Sequence, residues 1–464
     1  MIDLKVTKDL TEGNIYQNFL LYAIPLILSS LLSCLYSTVD AVIAGKFISE
    51  YALGAISATG SYDTVFFSLF SGFGAGFAVY IAHLFGKRDH ATLKRDVVQI
   101  LMLLSMVIVT VSALSILLRG PILDYLKVDP LLRADAETYF IIYTAGYLVT
   151  YINLILVNIL HALGVTAFSF YVSLASALLN IGGNLLTVVV LDLGVAGLAF
   201  STLFSTAAAT VFYLYMLRRA FRELPSERVS YRFSFSCLGR SLRYTLPAAV
   251  QQVAFHGIGL FIAPAINGIG ADATTGNTIA GRVHNMCAQS FWNTTAAMSC
   301  YIAQCAGAGK TKRITRGLWV GLWMNCVMLL PFVLIFAAFA EPIVSLFFPS
   351  GYMGVAFDYA VRFARFYTPF MFIELITHLI HSYIRSLGMV NVVLGITVLG
   401  SLTRLAATLL LVPTWQMEGA FIGQVLGWCG DAVVSVIIFL LFYRTHEQIL
   451  RCIERVRQKK ENAA

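Results

Sequence analysis

About twelve apolar stretches, each near twenty residues or longer, run through this chain, and no other feature limits its folding so tightly. They fall at approximately 16–44, 53–84, 97–118, 137–163, 168–191, 194–217, 242–267, 277–305, 317–340, 359–386, 391–412 and 417–443. A bilayer core about 30 Å thick is crossed by roughly 20 helical residues. In lipid a lone strand cannot satisfy its backbone, so such runs must be helices. Barrel strands would alternate polar and apolar residues in short segments, and these runs do not. The fold class expected is all-α, a polytopic membrane protein with twelve transmembrane helices. Composition agrees: 58% of residues are hydrophobic and 12% charged, against roughly 25% charged in soluble domains. The eight cysteines, among them Cys34, Cys237, Cys305 and Cys452, lack metal-like spacing and read as small apolar filler. A polar leader, Asp3–Asn14, precedes the first run, which is too long for a signal-peptide core. No cleavable signal is expected.

The net charge of +8 could suggest nucleic acid, but its placement argues otherwise. By loop, 24 of the 32 Lys and Arg residues collect on one side: the leader, the turn at Lys87–Arg95, Arg218–Arg243, Lys310–Arg316, Arg385 and the tail after Tyr443. The opposite loops hold Lys46, Arg119, Lys127 and Arg133. The positive-inside rule then places both termini in the cytoplasm. The basic tail can rest on anionic lipid. The expected partner is the lipid bilayer of a plasma or bacterial inner membrane, not nucleic acid.

The second half of the chain echoes the first about 222 residues later. Tyr22-Ala23-Ile24-Pro25 returns as Tyr244-Thr245-Leu246-Pro247, and Tyr80-Ile81-Ala82 returns as Tyr301-Ile302-Ala303. Ala162-Leu163-Gly164 returns as Ser386-Leu387-Gly388, and Gly194–Gly197 as Gln416–Gly419. Four matches in one order at nearly constant offset argue for duplication. Six spans separate the copies, an even number, so the repeat is parallel. The expected organisation is a six-helix lobe over 1–217, a basic cytoplasmic linker over 218–241, a second six-helix lobe over 242–443, and a basic cytoplasmic tail over 444–464. Pro25 and Pro247, near the cytoplasmic ends of spans 1 and 7, each remove a helical hydrogen bond and permit a bend.

Leu10-Thr11-Glu12-Gly13-Asn14-Ile15, Thr38-Val39-Asp40, Asn267-Gly268-Ile269-Gly270, Ala280-Gly281-Arg282, and Gln304 with Gly307-Ala308-Gly309-Lys310 resemble the multidrug and toxic compound extrusion (MATE) family, bacterial branch. The similarity covers nearly the whole chain. It implies a V-shaped bundle acting as a monomeric antiporter, which exports organic cations or amphipathic drugs against H⁺ or Na⁺ by alternating access. No cofactor beyond that ion is implied. The chain departs from the family pattern at His83, at His161, and at Asn184, where some members carry an Asp.

Asp40 is the first candidate for ion coupling, because a carboxylate at the centre of a membrane helix costs about 2.5–3.5 kcal/mol on insertion scales. Ser29, Ser33, Tyr36 and Asp40 share one face of span 1, and Asn180, Asn184 and Thr187 share one face of span 5. The resemblance carries Asp40, Asn180 and Thr202 onto the family's ion-site positions in the first lobe, with Asn184 at the altered position and Asn158 as a weaker addition. Such a pocket suits a small hard cation or a proton on Asp40. The plainer alternative for the amides and hydroxyls is interhelical hydrogen bonding. The second half has no acid opposite Asp40; Ile262 stands there. It has its own stripe, Glu374, His378 and His381 in span 10, open to a Glu–His relay or to an ion pair of Glu374 with Arg404 in span 11. A metal site there would lack an evident fourth ligand. Asp63 and Asp431 are intramembrane acids without an assigned role. For substrate, Tyr147, Tyr151, Gln252, His256, Gln289 and Trp292 are candidates, since aromatic faces attract lipophilic cations.

Two other functions compete. A lipid-linked glycan flippase of related architecture would need several cavity-facing cations, and Arg282, Arg362, Arg365 and Arg404 are the available ones. A membrane-embedded transferase would need an aspartate-rich motif or a strong His/Asp cluster, and only the span-10 stripe approaches that. The chain is therefore expected to be a transporter and not an enzyme.

Overall fold

The computed structural model describes residues 7–48, 52–126, 128, 130, 132–225, 235–348 and 353–461, with side chains described only to 441 at the C-terminal end. Among the described residues every regular element is helical. In order these are α1 (Ile15–Ile43), α2 (Ala52–Gly86), α3 (His90–Leu117), α4 (Arg119–Tyr125), α5 (Arg133–Ala145), α6 (Tyr147–Ala162), α7 (Ala167–Asn184) and α8 (Gly194–Glu223). There follow α9 (Phe235–Asn267), α10 (Ala271–Gly307), α11 (Thr311–Ala338), α12 (Ala340–Ser345), α13 (Val355–Arg362), α14 (Met371–Ser386) and α15 (Val390–Glu461). Part of the expected linker, 226–234, and the side chains of Lys46, Cys34, Cys237 and Cys452 lie outside the described residues.

Among the described residues eight helices are long and apolar enough to cross a bilayer alone, and α5 with α6, bent by 50°, makes a ninth. The bend falls at Gly146, where a Cβ would stand 2.0 Å from a methyl of Leu203 on α8. Leu203 thus occupies the space that any side chain at 146 would need. The remaining spans come from three places. α15 breaks at Gln416 (φ 48°, ψ −127°) and counts twice. α10 carries too many polar residues to pass on hydropathy. Span 10 is pieced from α13, a π turn at Phe363–Tyr367, a 3₁₀ turn at Thr368–Phe370 and α14. Pro369 supplies no N–H there, which explains the change of helix type. The twelve expected spans are all accounted for.

The chain forms two compact units, Met1–His256 and Gly257–Ala464. The division falls inside α9 and not at the linker, so the first part of span 7 packs with the first unit. The reason is local. A Cβ on Gly72 would lie 2.4 Å from Ala249 Cα, and one on Gly76 would lie 2.5 Å from the Tyr244 carbonyl oxygen. Two glycines on α2 admit the α9 backbone at a distance no larger residue permits.

The repeat motifs coincide with chain reversals. At the end of α6, Gly164 (φ 84°) donates to His161 O and Val165 to Leu160 O, both at 2.9 Å. At the end of α14, Gly388 (φ 88°) donates to Arg385 O at 2.9 Å and Met389 to Ile384 O at 3.3 Å. Both are left-handed Schellman caps that satisfy the last carbonyls of a helix. Gly194 (φ 55°) and its counterpart Gln416 (φ 48°) likewise share a left-handed backbone.

Candidate ion-coupling site

In the first unit α1, α7 and α8 bring four expected residues into one chain of hydrogen bonds. Asn184 donates from Nδ2 to Asp40 Oδ1 at 2.5 Å and to Asn180 Oδ1 at 3.3 Å. Asn180 donates in turn to Thr202 Oγ1 at 3.3 Å. Ser201 Oγ fixes the same turn of α7 by donating to Asn180 O at 2.9 Å. Asn180 and Asn184 are buried, while Asp40 is half-buried. With both of its N–H groups committed, Asn184 keeps a buried Oδ1 without a hydrogen-bond partner. A buried acceptor left open beside a carboxylate suits a bound cation, or a proton shared with Asp40.

The local backbone frames this arrangement. α1 passes into a π turn at Ala44–Ile48 about one helical turn after Asp40, and α7 passes into another at Leu185–Val190 directly after Asn184. π turns widen a helix and commonly mark functional positions. Ile43 and Ala44 from the first pack with Val188 from the second and with Leu198 of α8. Beside the amide chain lies a cavity of about 120 Å³ lined by Ser33, Tyr36, Asn153, Asn180, Thr202 and Thr206 among others. Hydroxyl and amide groups dominate its wall, so it can hold water or a small hydrated cation.

Tyr36 therefore joins the site, but Asn158 does not. Asn158 Nδ2 donates to Leu154 O at 2.8 Å and lies against Gly74 of α2. Asn153, one and a half turns earlier on α6, takes that place and donates to Thr210 Oγ1 at 3.0 Å. Helical phase explains the exchange: residues five apart on a helix are rotated by about 140°. Thr187 also turns away, donating to Gly183 O and Gly197 O at 2.8 and 3.0 Å.

In the second unit Glu374 is buried and reaches across to α10, where His284 Nε2 stands 2.8 Å from its Oε2. His378 Nε2 lies 3.5 Å from Oε1. Of the two alternatives for Glu374, the ion pair with Arg404 does not form within 4.0 Å; Arg404 Nε is buried without a hydrogen-bond partner. His284 takes the carboxylate because Trp428 stacks on its ring at 5.6 Å and 19°, holding it toward α14. His381 turns to α15, 3.2 Å from Asp431 Oδ1 and 3.1 Å from Ser435 Oγ. The stripe on α14 thus divides between two carboxylates. His284 escaped notice because it sits among core positions such as Val283 and Cys287, where histidine usually signals packing.

Of the substrate candidates, Tyr147 and Tyr151 are buried in the first unit, with Tyr147 donating to Asp63 and Tyr151 stacked on Phe70 at 4.5 Å. Gln252 is half-buried and His256 exposed on α9. In the second unit, Gln289 accepts from Asn293 at 3.1 Å, and Trp292 lies near His284 and His378, its Nε1 buried without a partner. Within the first unit the rings of Tyr147 and Tyr151 lie 5.0 Å apart.

A sequence model of the MatE family matches residues 25–186 and 247–410, which is most of both halves. Among curated relatives, the probable multidrug resistance protein YoeA of Bacillus subtilis is 23% identical over 356 residues, covering 74% of this chain and 75% of that one. The multidrug export protein MepA of Staphylococcus saprophyticus is 26% identical over 227 residues, 45% of this chain and 47% of its own. Among solved structures, a MOP-superfamily transporter from Pyrococcus furiosus superposes with a TM-score of 0.87 at 19% identity, covering 97% of this chain and 99% of that one. A MATE in the straight conformation gives 0.85 at 19% identity over 97% and 100%. At that identity the likeness concerns the fold.

Proposed function

This chain belongs to the MatE family, and from that premise we propose that it is an ion-coupled exporter of organic cations or amphipathic drugs, exchanging them for H⁺ or Na⁺ by alternating access. The names of its relatives, multidrug resistance and multidrug export proteins, support the substrate class. The observation that carries the coupling is Asp40, held by Asn184 with an open amide oxygen beside it. A carboxylate in that setting binds an entering cation and releases it when the surrounding helices rearrange. Exchange requires that ion and substrate favour different conformations. We place both termini in the cytoplasm of a cell membrane, from the loop charges, and take the working unit as a monomer. No group other than the coupling ion is needed.

A glycan flippase is less well supported. Arg362 pairs with Asp358 at 2.8 Å and Arg365 with Glu341 at 3.0 Å, so two of its four candidate cations are already engaged. Among the described residues no three His, Cys, Asp or Glu side chains converge as metal ligands, and nothing else favours a transferase.

The test is efflux of a fluorescent cation from proteoliposomes under an imposed Na⁺ or H⁺ gradient. Gradient-driven efflux by the wild type and its loss in Asp40→Asn is the expected result. Unchanged coupling in that variant would remove Asp40 from the mechanism, and no gradient-driven movement at all would remove the exporter.

A further inference from the structure

A second acid stands in the first unit, on α2. Asp63 Oδ1 accepts a hydrogen bond from Tyr147. Among the described residues that is the only hydrogen bond to this carboxylate, and no Lys, Arg or His lies within 4.0 Å of it. An intramembrane acid without a counter-charge calls for a partner.

Its surroundings say which. The Tyr147 ring lies 5.0 Å from Tyr151, 6.0 Å from Phe66 and 6.0 Å, edge-on, from Tyr143. Tyr143 stacks on Tyr139 at 5.4 Å and 11°. Tyr147 thus links the carboxylate, through its hydroxyl, to a run of rings from Tyr151 to Tyr139. Tyr147 and Tyr151 are buried, whereas Tyr139 and Tyr143 are only half-buried. The tyrosine that holds the carboxylate is therefore buried among rings, and its edge contact with Tyr143 leads on to a more open, parallel pair. Small hard cations take several oxygen ligands, which is what the amides and hydroxyls near Asp40 provide. Asp63 has instead a cluster of aromatic rings reached through Tyr147, and aromatic faces attract large, weakly hydrated organic cations.

We propose that Asp63, with the stacked pair Tyr139 and Tyr143, anchors the positive head of the transported compound, and that this anchor is separate from the ion site at Asp40. The assignment rests on the exporter reading. Asp63 and Asp40 lie in the same compact unit of the chain. A cation on one carboxylate repels a cation approaching the other, and repulsion is stronger where water is scarce. Ion and substrate therefore weaken each other's binding reciprocally, as exchange demands.

The experiment is calorimetric titration of the purified full chain in detergent with tetraphenylphosphonium, with and without Na⁺ and across pH. Asp63→Asn should weaken binding by about tenfold or more, and Tyr143→Leu by about threefold to tenfold. Asp63→Glu should stay close to wild type. Asp40→Asn should bind the probe but lose its antagonism by Na⁺ or H⁺. Wild-type affinity in Asp63→Asn, or no binding by the wild-type protein, overturns the proposal. Should Asp63→Asn fail to purify as a single species, wild-type affinity in Tyr143→Leu overturns it equally. Gradient-driven, Asp40-dependent efflux alongside such a result leaves the exporter reading standing, which separates the two failures.

Discussion

Asn184 Nδ2 and Asp40 Oδ1 meet at 2.5 Å although 144 positions separate them in the chain. The contact joins span 5 to span 1 at the point where each helix widens into a π turn. It turns two isolated polar stripes into one site.

Removing that donor tests the site directly. A hydrogen bond to a charged group contributes about 1.5–3 kcal/mol. Asn184→Leu should weaken coupling-ion binding about tenfold or more, while the unfolding temperature changes by only a few degrees. Initial efflux rates against Na⁺ concentration and pH read this out. An ion dependence identical to wild type would show that the contact plays no part in coupling.

Asn153 and Asn158 make a matched pair. Asn158 points to its own helix and to Gly74, so Asn158→Ala should leave the ion dependence of transport within about twofold of wild type. Asn153 lines the polar cavity, and Asn153→Leu should shift that dependence measurably. The reverse ranking would contradict the placement of α6.

The His284–Glu374 pair allows a stability cycle. Taking away one partner of a buried ion pair leaves the other uncompensated, at a cost of about 3–5 kcal/mol. His284→Leu should therefore lower the unfolding temperature in detergent more than Glu374→Gln does, since the amide carries no charge. The double variant should be less impaired than the sum of the two. Strict additivity would mean that the 2.8 Å contact is energetically idle.

Gly72 and Gly257 form a third comparison. A Cβ at 72 meets backbone atoms of Ala248 and Ala249, whereas a Cβ at 257 meets nothing within 4 Å. Gly72→Ala should destabilise by roughly 1–3 kcal/mol, the usual range for overpacking. Gly257→Ala should be neutral or gain about 0.5–1 kcal/mol, because glycine is unfavourable inside helices. Thermal unfolding of both variants decides it.

Span 2 is followed, two residues after its helix ends, by Arg88 in a left-handed conformation (φ 60°), while the counterpart in the second half is Gly309 (φ 67°). A residue with a Cβ is disfavoured there by roughly 1–2 kcal/mol. Arg88→Gly should raise the unfolding temperature by a few degrees, offset only slightly by the loss of an exposed contact to Glu12 at 3.9 Å. A lower unfolding temperature would refute the argument.

Much of this was readable in advance. Long apolar runs announce membrane helices because lipid leaves the backbone no alternative. Span 1 and span 5 showed their polar faces because helical periodicity is a local property of the chain. The repeat was readable at Leu163-Gly164 and Leu387-Gly388 because those positions are bound by backbone geometry, which tolerates few residue types. Span 10 was harder. Its pieces include a π turn and a 3₁₀ turn, and these rotate every residue after Pro369 relative to those before it. Which way Asn158 points was hidden for a related reason: an amide in an apolar helix looks functional whichever way it points.

From residue order alone came the class of protein, the number of crossings and the duplication. Those follow from hydropathy, charge and period, which are sums along the chain. Pairings across helices are another matter. That Glu374 meets His284 and not Arg404, that His381 meets Asp431, and that Tyr147 donates to Asp63 depend on the rotation and bend of packed helices. Rotation and bend are decided by close packing, where one glycine or one leucine at a crossing determines which side chains can meet.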